Sequence, residues 1–277
     1  TGTSIGGFLF PIIAGLLFAE YGWRTTHLLL ACVIVLIVIP VVWMVVANQP
    51  ADKGFEPEAD GQGAGAADTS HVFPVWTTLS ILQERNFWVI ILAFVPLMTA
   101  QGAVQANLAA FAIDLGTAKE LTPRLISLMA VTMIGGKLFF GRQADHWDHR
   151  YLFLLAVLLI GLVMLLMLTT PGYAMQLLIA GILGVGTGAF LPLLGAIISS
   201  RFGPAGFGKV MGLLGPFMTA SALGTVFAAN IFDATGTYDL ALKILLVGIA
   251  PAGLIMVFLR HKPGDERAMT REVQHVA

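Results

Sequence analysis

Long uncharged stretches separated by clumps of charge set the pattern along this chain. A hydrocarbon core about 30 Å thick needs roughly 20 apolar residues as helix. Thr1–Ala19 carries no charge and runs into Glu20, Leu28–Ala47 follows Arg24 and His27, and Asn86–Ile113 comes next. Leu125–Gly141 is interrupted only by Lys137, and Tyr151–Ser200 runs uncharged for longer than one crossing needs. Pro171-Gly172 is a turn signal inside that stretch, which therefore divides into two helices. Val210–Phe232 and Leu240–Leu259, the latter holding only Lys243, complete eight expected spans. Strand-type alternation is absent from these segments, which argues against an outer-membrane barrel. In lipid every backbone group must be satisfied within the segment, so the expected fold is an all-α membrane bundle.

Composition agrees with the pattern. The 277 residues are 57% hydrophobic and only 11% charged, with a mean hydropathy of +0.85, whereas soluble domains carry about 25% charged residues. With 15 Lys+Arg against 16 Asp+Glu the net charge is −1, which offers no basic surface and so no nucleic-acid partner. Cys32 is the single cysteine and no Cys/His cluster has metal-ligand spacing, so neither an intrachain disulfide nor a metal is expected. No cofactor is expected, and the bilayer is the principal partner.

Lys and Arg placement sets an expected orientation. With the Asn48–Arg85 connection inside, the inner segments hold Lys53, Arg85, Arg142, Arg150, Arg201, Lys209, Arg260, Lys262, Arg267 and Arg271. Only Arg24, Lys119, Arg124 and Lys243 then fall outside. The connection itself, with Asp52, Glu56, Glu58 and Asp60 ahead of Gly61-Gln62-Gly63-Ala64-Gly65, is that of a flexible acidic linker. The expected organisation is two spans in 1–47, a cytoplasmic linker in 48–86, six spans in 87–260 and a cytoplasmic tail in 261–277. Thr1-Gly2-Thr3-Ser4 already lies in a span and lacks the charged start of a signal peptide, so the chain is expected to be truncated at its N-terminus.

Motifs between the spans narrow the class. Gly141-Arg142-Gln143-Ala144-Asp145 followed by Arg150 forms a tight inner loop of small and charged residues. This G-R-x-A-D with Arg five residues on resembles the loop 8–9 signature of the major facilitator superfamily, with Asp148 in place of the usual glycine. Gly6-Gly7, Pro11 and Gly15 with Tyr21-Gly22-Trp23-Arg24 resemble the end of span five in that family. Gly181, Gly184, Gly186, Gly188 and Pro192 resemble span ten, and Arg201-Phe202-Gly203 with Phe207-Gly208-Lys209 and Gly212 resembles the loop after it. Asp233-x-Thr235-Gly236-x-Tyr238 is similar to the turn between spans eleven and twelve. The resemblance implies eight of twelve helices of a major-facilitator bundle, spans five to twelve. Within the family the first span and Lys137 are most similar to the monocarboxylate-transporter-like prokaryotic branch. An internal repeat agrees with parallel halves: Ser4, Gly7 and Phe10 match Ser221, Gly224 and Phe227 at one offset, and Gly22 matches Gly236 after a short slip.

Candidate site residues are the polar groups left inside spans. Lys137 is the only charge well within one, and an intramembrane cation is costly enough to imply a bundle-facing or water-facing role. Snorkelling is the competing account, since Asp145 lies about 12 Å further along the helix. Gln101 and Gln105 share one helical face and could bind a polar solute or hold helices together. Asn107 lies on another face and suits packing or a local break. Thr187, Ser221 and Thr225 suit packing through bonds to the backbone four residues earlier, while Asn230 and His27 lie near interfaces. The glycine-rich stretch around Gly186 lacks the strand and Lys-Ser/Thr ending of a nucleotide loop, so close helix contact is expected instead. From the resemblance, Gly141, Arg142, Asp145 and Arg150 form a conformational latch whose Asp meets a helix end of the opposite half; charge that merely sets topology is the alternative.

Together these observations and the resemblance lead to a secondary transporter, not an enzyme, in the cell inner (plasma) membrane. It is expected to move a small organic anion such as a monocarboxylate by alternating access, possibly with a coupling proton, as a symporter. Lys137 would attract the carboxylate, with Gln101 and Gln105 orienting it. Alternatives are a drug or metabolite exporter of the same fold and a non-transporting membrane sensor, for which no signalling domain is visible. An intramembrane enzyme would need a catalytic pair within the spans, and that reading is rejected.

Overall fold

The computed structural model describes residues 2–45 and 76–259, and within them every regular element is helical. Two compact units divide the chain, Gly2–Val72 and Phe73–Ala277. Among the described residues, Glu20–Met44, Arg85–Asp114, Lys119–Ala144, His149–Met167, Tyr173–Pro204, Gly206–Thr235 and Asp239–Val257 are long and apolar enough to cross a membrane. These seven coincide with seven of the eight expected spans. The remaining one, Thr1–Ala19, corresponds to helix on the N-terminal side of a kink at Gly22.

In the first unit, α1 (Gly2–Val33) bends at Gly22, whose φ of 72° and ψ of 166° leave helical space. A π-helical stretch, Ile34–Val38, leads into α2 (Ile39–Val45). Thr26 donates to Gly22 O at 2.9 Å and His27 Nδ1 bonds Trp23 O at 2.7 Å, so both side chains support the turn after the kink.

The second unit is a six-span bundle preceded by a short helix. α3 (Thr78–Gln83) is capped by Thr77, whose hydroxyl accepts from Ser80 N while the Ser80 side chain accepts from Thr77 N. α4 (Arg85–Asp114) is the most buried span, with Phe87, Ile90, Phe94, Leu97 and Leu108 all inside. Phe94 packs on Phe153 of α6 (His149–Met167) at 4.8 Å between rings and on the Phe190 ring at 6.4 Å. α5 (Thr122–Ala144) holds Pro123 in its first turn, where the missing N–H costs nothing. The uncharged 151–200 stretch divides where Pro171-Gly172 marks it, α6 ending at Met167 and α7 (Tyr173–Gly188) beginning after Gly172.

Breaks interrupt the later spans. α8 (Phe190–Ala220) turns a corner at Gly203, so that one span ends there and another starts at Gly206. That second span breaks again at Ser221–Ala222 before α9 (Leu223–Thr235), and α10 (Asp239–Val257) closes the bundle. Gly236, paired with Gly22 in the repeat, caps α9 in the left-handed region with φ 71°.

Contacts between loops define two faces. On one, Arg150 at the start of α6 donates from Nη2 to Leu259 O beyond α10, and Arg85 lies 5.6 Å from the Phe258 ring. On the other, Thr117 donates to Gln176 Oε1 at 2.8 Å, and Phe111 meets Tyr238 edge-on at 6.0 Å.

Candidate functional site

Lipid gives apolar helices no hydrophobic reason to associate, so close backbone approach and polar contacts must hold them together. The α5–α7 contact shows how. A methyl group on Gly184 would fall within 3 Å of Thr132 Oγ1 and the Met129 carbonyl, and one on Gly188 would lie 2.6 Å from Met133 O and 2.7 Å from Lys137 N. On α5, Gly136 abuts the Val185 carbonyl in the same way. The glycine-rich span is therefore a packing seam, as its sequence led us to expect. Gly186 turns the other way, against Ile160 of α6.

Lys137 stands on this seam. Its backbone nitrogen abuts Gly188, and the residue is half-buried. Gln101 is buried on α4, and its Nε2 donates to Oε1 of Gln105. That bond leaves the Gln105 amino group, the Gln101 carbonyl oxygen and the second Gln101 N–H to other partners. The structure thus brings the two glutamines together. Measured along the helices, Gln101 lies about 24 Å from Arg85 and Lys137 about 12 Å from Asp145, at a rise of about 1.5 Å per residue. Arg85 and Asp145 both belong to the face joined by Arg150, so the glutamines stand deeper than the lysine.

The remaining polar groups divide between packing and termini. Asn107 Nδ2 donates to Ala103 O at 2.9 Å and lines a small apolar cavity with Phe111, Met167, Ala228 and Tyr238. The expected bonding of Thr187, Ser221 and Thr225 to the carbonyl four residues back does not occur. Ser221 lies in the break and bonds Met218 O at 2.6 Å, three residues back, because the regular ladder is interrupted there. Thr225 reaches across to Gly102 O of α4 at 3.4 Å, and Gly224 beside it packs on the Thr99 backbone. The Thr187 hydroxyl is buried without a hydrogen-bond partner among the described residues. Tyr238 stacks on Phe232 at 4.4 Å, and burial, with Asp114 and Asp233 nearby, raises its hydroxyl pKa above the usual phenol value.

The loop carrying the signature is built from helix ends. A Cβ on Gly141, in the last turn of α5, would stand in ordinary van der Waals contact with Pro192 Cβ at 3.8 Å. Arg142 in that turn and Asp145 at its C-cap are exposed. Asp148, standing where the signature has glycine, caps α6 by accepting from Arg150 N at 2.9 Å. His149 Nε2 bonds Ala144 O at 3.1 Å. The Arg150 guanidinium satisfies a carbonyl past the end of α10, where positive charge is also favoured by the helix dipole.

Sequence reasoning missed Gln176 and Trp76. Gln176 is 2% exposed and joins Thr117 to the Pro171 carbonyl, between two loops of one face. An amide near the end of an otherwise apolar span was the available signal.

Among the described residues the chain is a helical, multi-pass membrane bundle with polar side chains retained inside its spans. A family model described as Major Facilitator Superfamily matches residues 1–136 and 104–275, and the chain belongs to that superfamily of transporters. Comparison with curated proteins finds no match.

Proposed function

We propose that the protein moves a small organic anion, such as a monocarboxylate, across the cell's inner (plasma) membrane by alternating access, coupled to a proton. The observation that carries this reading is a cation, Lys137, inside a span and half-buried at a glycine seam. A cation kept at that cost suits an anionic solute. The Gln101–Gln105 pair, of which Gln101 is buried, supplies donors and acceptors deeper in the bundle. Their difference in depth makes the lysine and the glutamines successive stations for a carboxylate. Arg142, Asp145 and Gly141 form the mobile edge of the signature loop in this reading, and Arg150 anchors that loop to α10. The linker side faces the cytoplasm, following the excess of Lys and Arg there.

The test is uptake of short monocarboxylates by vesicles containing the protein, with and without an imposed proton gradient. Lys137→Ala is expected to lower uptake at limiting solute at least about tenfold, the scale of a lost charged hydrogen bond, while Lys137→Arg retains most of it. Unchanged uptake in Lys137→Ala would remove the lysine from the mechanism. Transport of hydrophobic drugs in place of carboxylates would replace the proposed solute.

A further inference from the structure

The corner at Gly203 is held by a residue from far away in the chain. Gly203 takes φ 70° and ψ 172°, a conformation open to glycine, and Pro204 after it has no N–H to give. Such a corner interrupts the helical ladder, and carbonyls beside it need donors from elsewhere. Phe202, just before it, is 1% exposed. The indole Nε1–H of Trp76 donates to Phe202 O at 2.8 Å. The same ring meets the Phe202 ring at 5.0 Å and 60°. Gly206 is buried beneath that indole, and a Cβ there would stand 2.5 Å from Trp76 Cδ1 and 3.0 Å from Nε1. Lys209 grips from the other direction, donating from Nζ to Trp76 O at 2.8 Å.

Little slack separates this grip from the bundle. Thr77 and Ser80 close the start of α3 reciprocally, with bonds of 2.9 and 3.2 Å. Trp88 Nε1 donates to Leu82 O at 2.8 Å, tying the end of α3 to the first turns of α4. Ile81 is fully buried, which seats α3 against the bundle.

We propose that Trp76 is a clasp coupling the hinge at Gly203 to α4 through α3, so that the loop between these two spans moves only with α4 or after the indole lets go. The clasp makes Trp76 a positioning residue, acting on the hinge and touching no solute. It stands independently of the solute proposed above.

The test follows hydrogen exchange in the full chain embedded in lipid nanodiscs. Trp76→Phe keeps a ring but loses the N–H, and is expected to raise exchange across 198–212 and the first turn of α4 about tenfold, the scale of one net hydrogen bond expressed as local opening. Gly206→Ala is expected to do the same by displacing the indole, yet to add little in a Trp76→Ala background, where no ring remains to displace. That non-additivity separates a clasp from general loosening, which would add. Equal effects of Gly206→Ala in both backgrounds, or unchanged exchange in Trp76→Phe, overturn the proposal. Lys209→Met removes only the second grip on the surface and keeps the test available if the others fail to fold. A smaller rise confined to the same segments supports the clasp, and no rise counts against it.

Discussion

A buried amide in a membrane bundle must have its hydrogen bonds met by the protein, and Gln176 has both kinds met. It accepts from Thr117 Oγ1 and donates to Pro171 O, across two loops of one face. Gln176→Leu keeps the volume and breaks both bonds, leaving the Thr117 hydroxyl and a carbonyl to find water. The expected cost is about 1–3 kcal/mol, measured as a lower midpoint of thermal unfolding in detergent. The contrast with Gln101 and Gln105 shows which residue-level contacts a sequence reveals. Four residues apart on one helix, that pair was legible from spacing alone, and the structure joins their side chains. Gln176 pairs with a residue 59 positions away, and no local period encodes that. Trp76 is the extreme case, its partners Phe202 and Lys209 lying 126 and 133 positions further on.

Two adjacent glycines in α5 separate packing from propensity at the scale of elements. Gly136 abuts the Val185 carbonyl, whereas a Cβ on Gly135 would meet nothing within 4 Å. Gly135→Ala is therefore expected to be neutral or to stabilise by up to about 1 kcal/mol through helix propensity. Gly184→Ala, on the facing helix, drives a methyl into the Met129 carbonyl, and no side-chain rotation relieves that contact. A loss of about 1–3 kcal/mol is expected, typical of overpacking, read from the same unfolding midpoint. Opposite signs for the two substitutions would confirm that the seam, and not helix formation, limits stability. The glycine spacing announced a close contact, but it did not say that Gly184 and Gly188 face α5 while Gly186 faces α6. Helix rotation is set by the partner helices, which a single span does not contain.

At the scale of the whole molecule, alternating spans and short loops put the signature loop and the Gly203 corner on one face. Thr170 and Gly236 lie on the other, by the ties among Thr117, Gln176, Phe111 and Tyr238. The orientation proposed from Lys and Arg placement makes the first face cytoplasmic. In a Cys32→Ser background, a cysteine replacing exposed Thr170 should react with a membrane-impermeant thiol reagent in intact cells. One replacing exposed Trp147 should react only after permeabilisation. The reverse pattern would invert the topology.

Seven of the eight expected spans and the Pro171-Gly172 division were legible in the sequence because lipid imposes one rule on every crossing: enough apolar length and a helical backbone. The family was legible for a related reason, since its signature residues sit in short loops where spacing is local. Tertiary structure decided the rest: which glycines touch which helix, that Arg150 serves the end of α10, and that Trp76 holds a corner far along the chain. Those choices depend on how the helices are rotated and on polar contacts between distant residues, and hydropathy records neither.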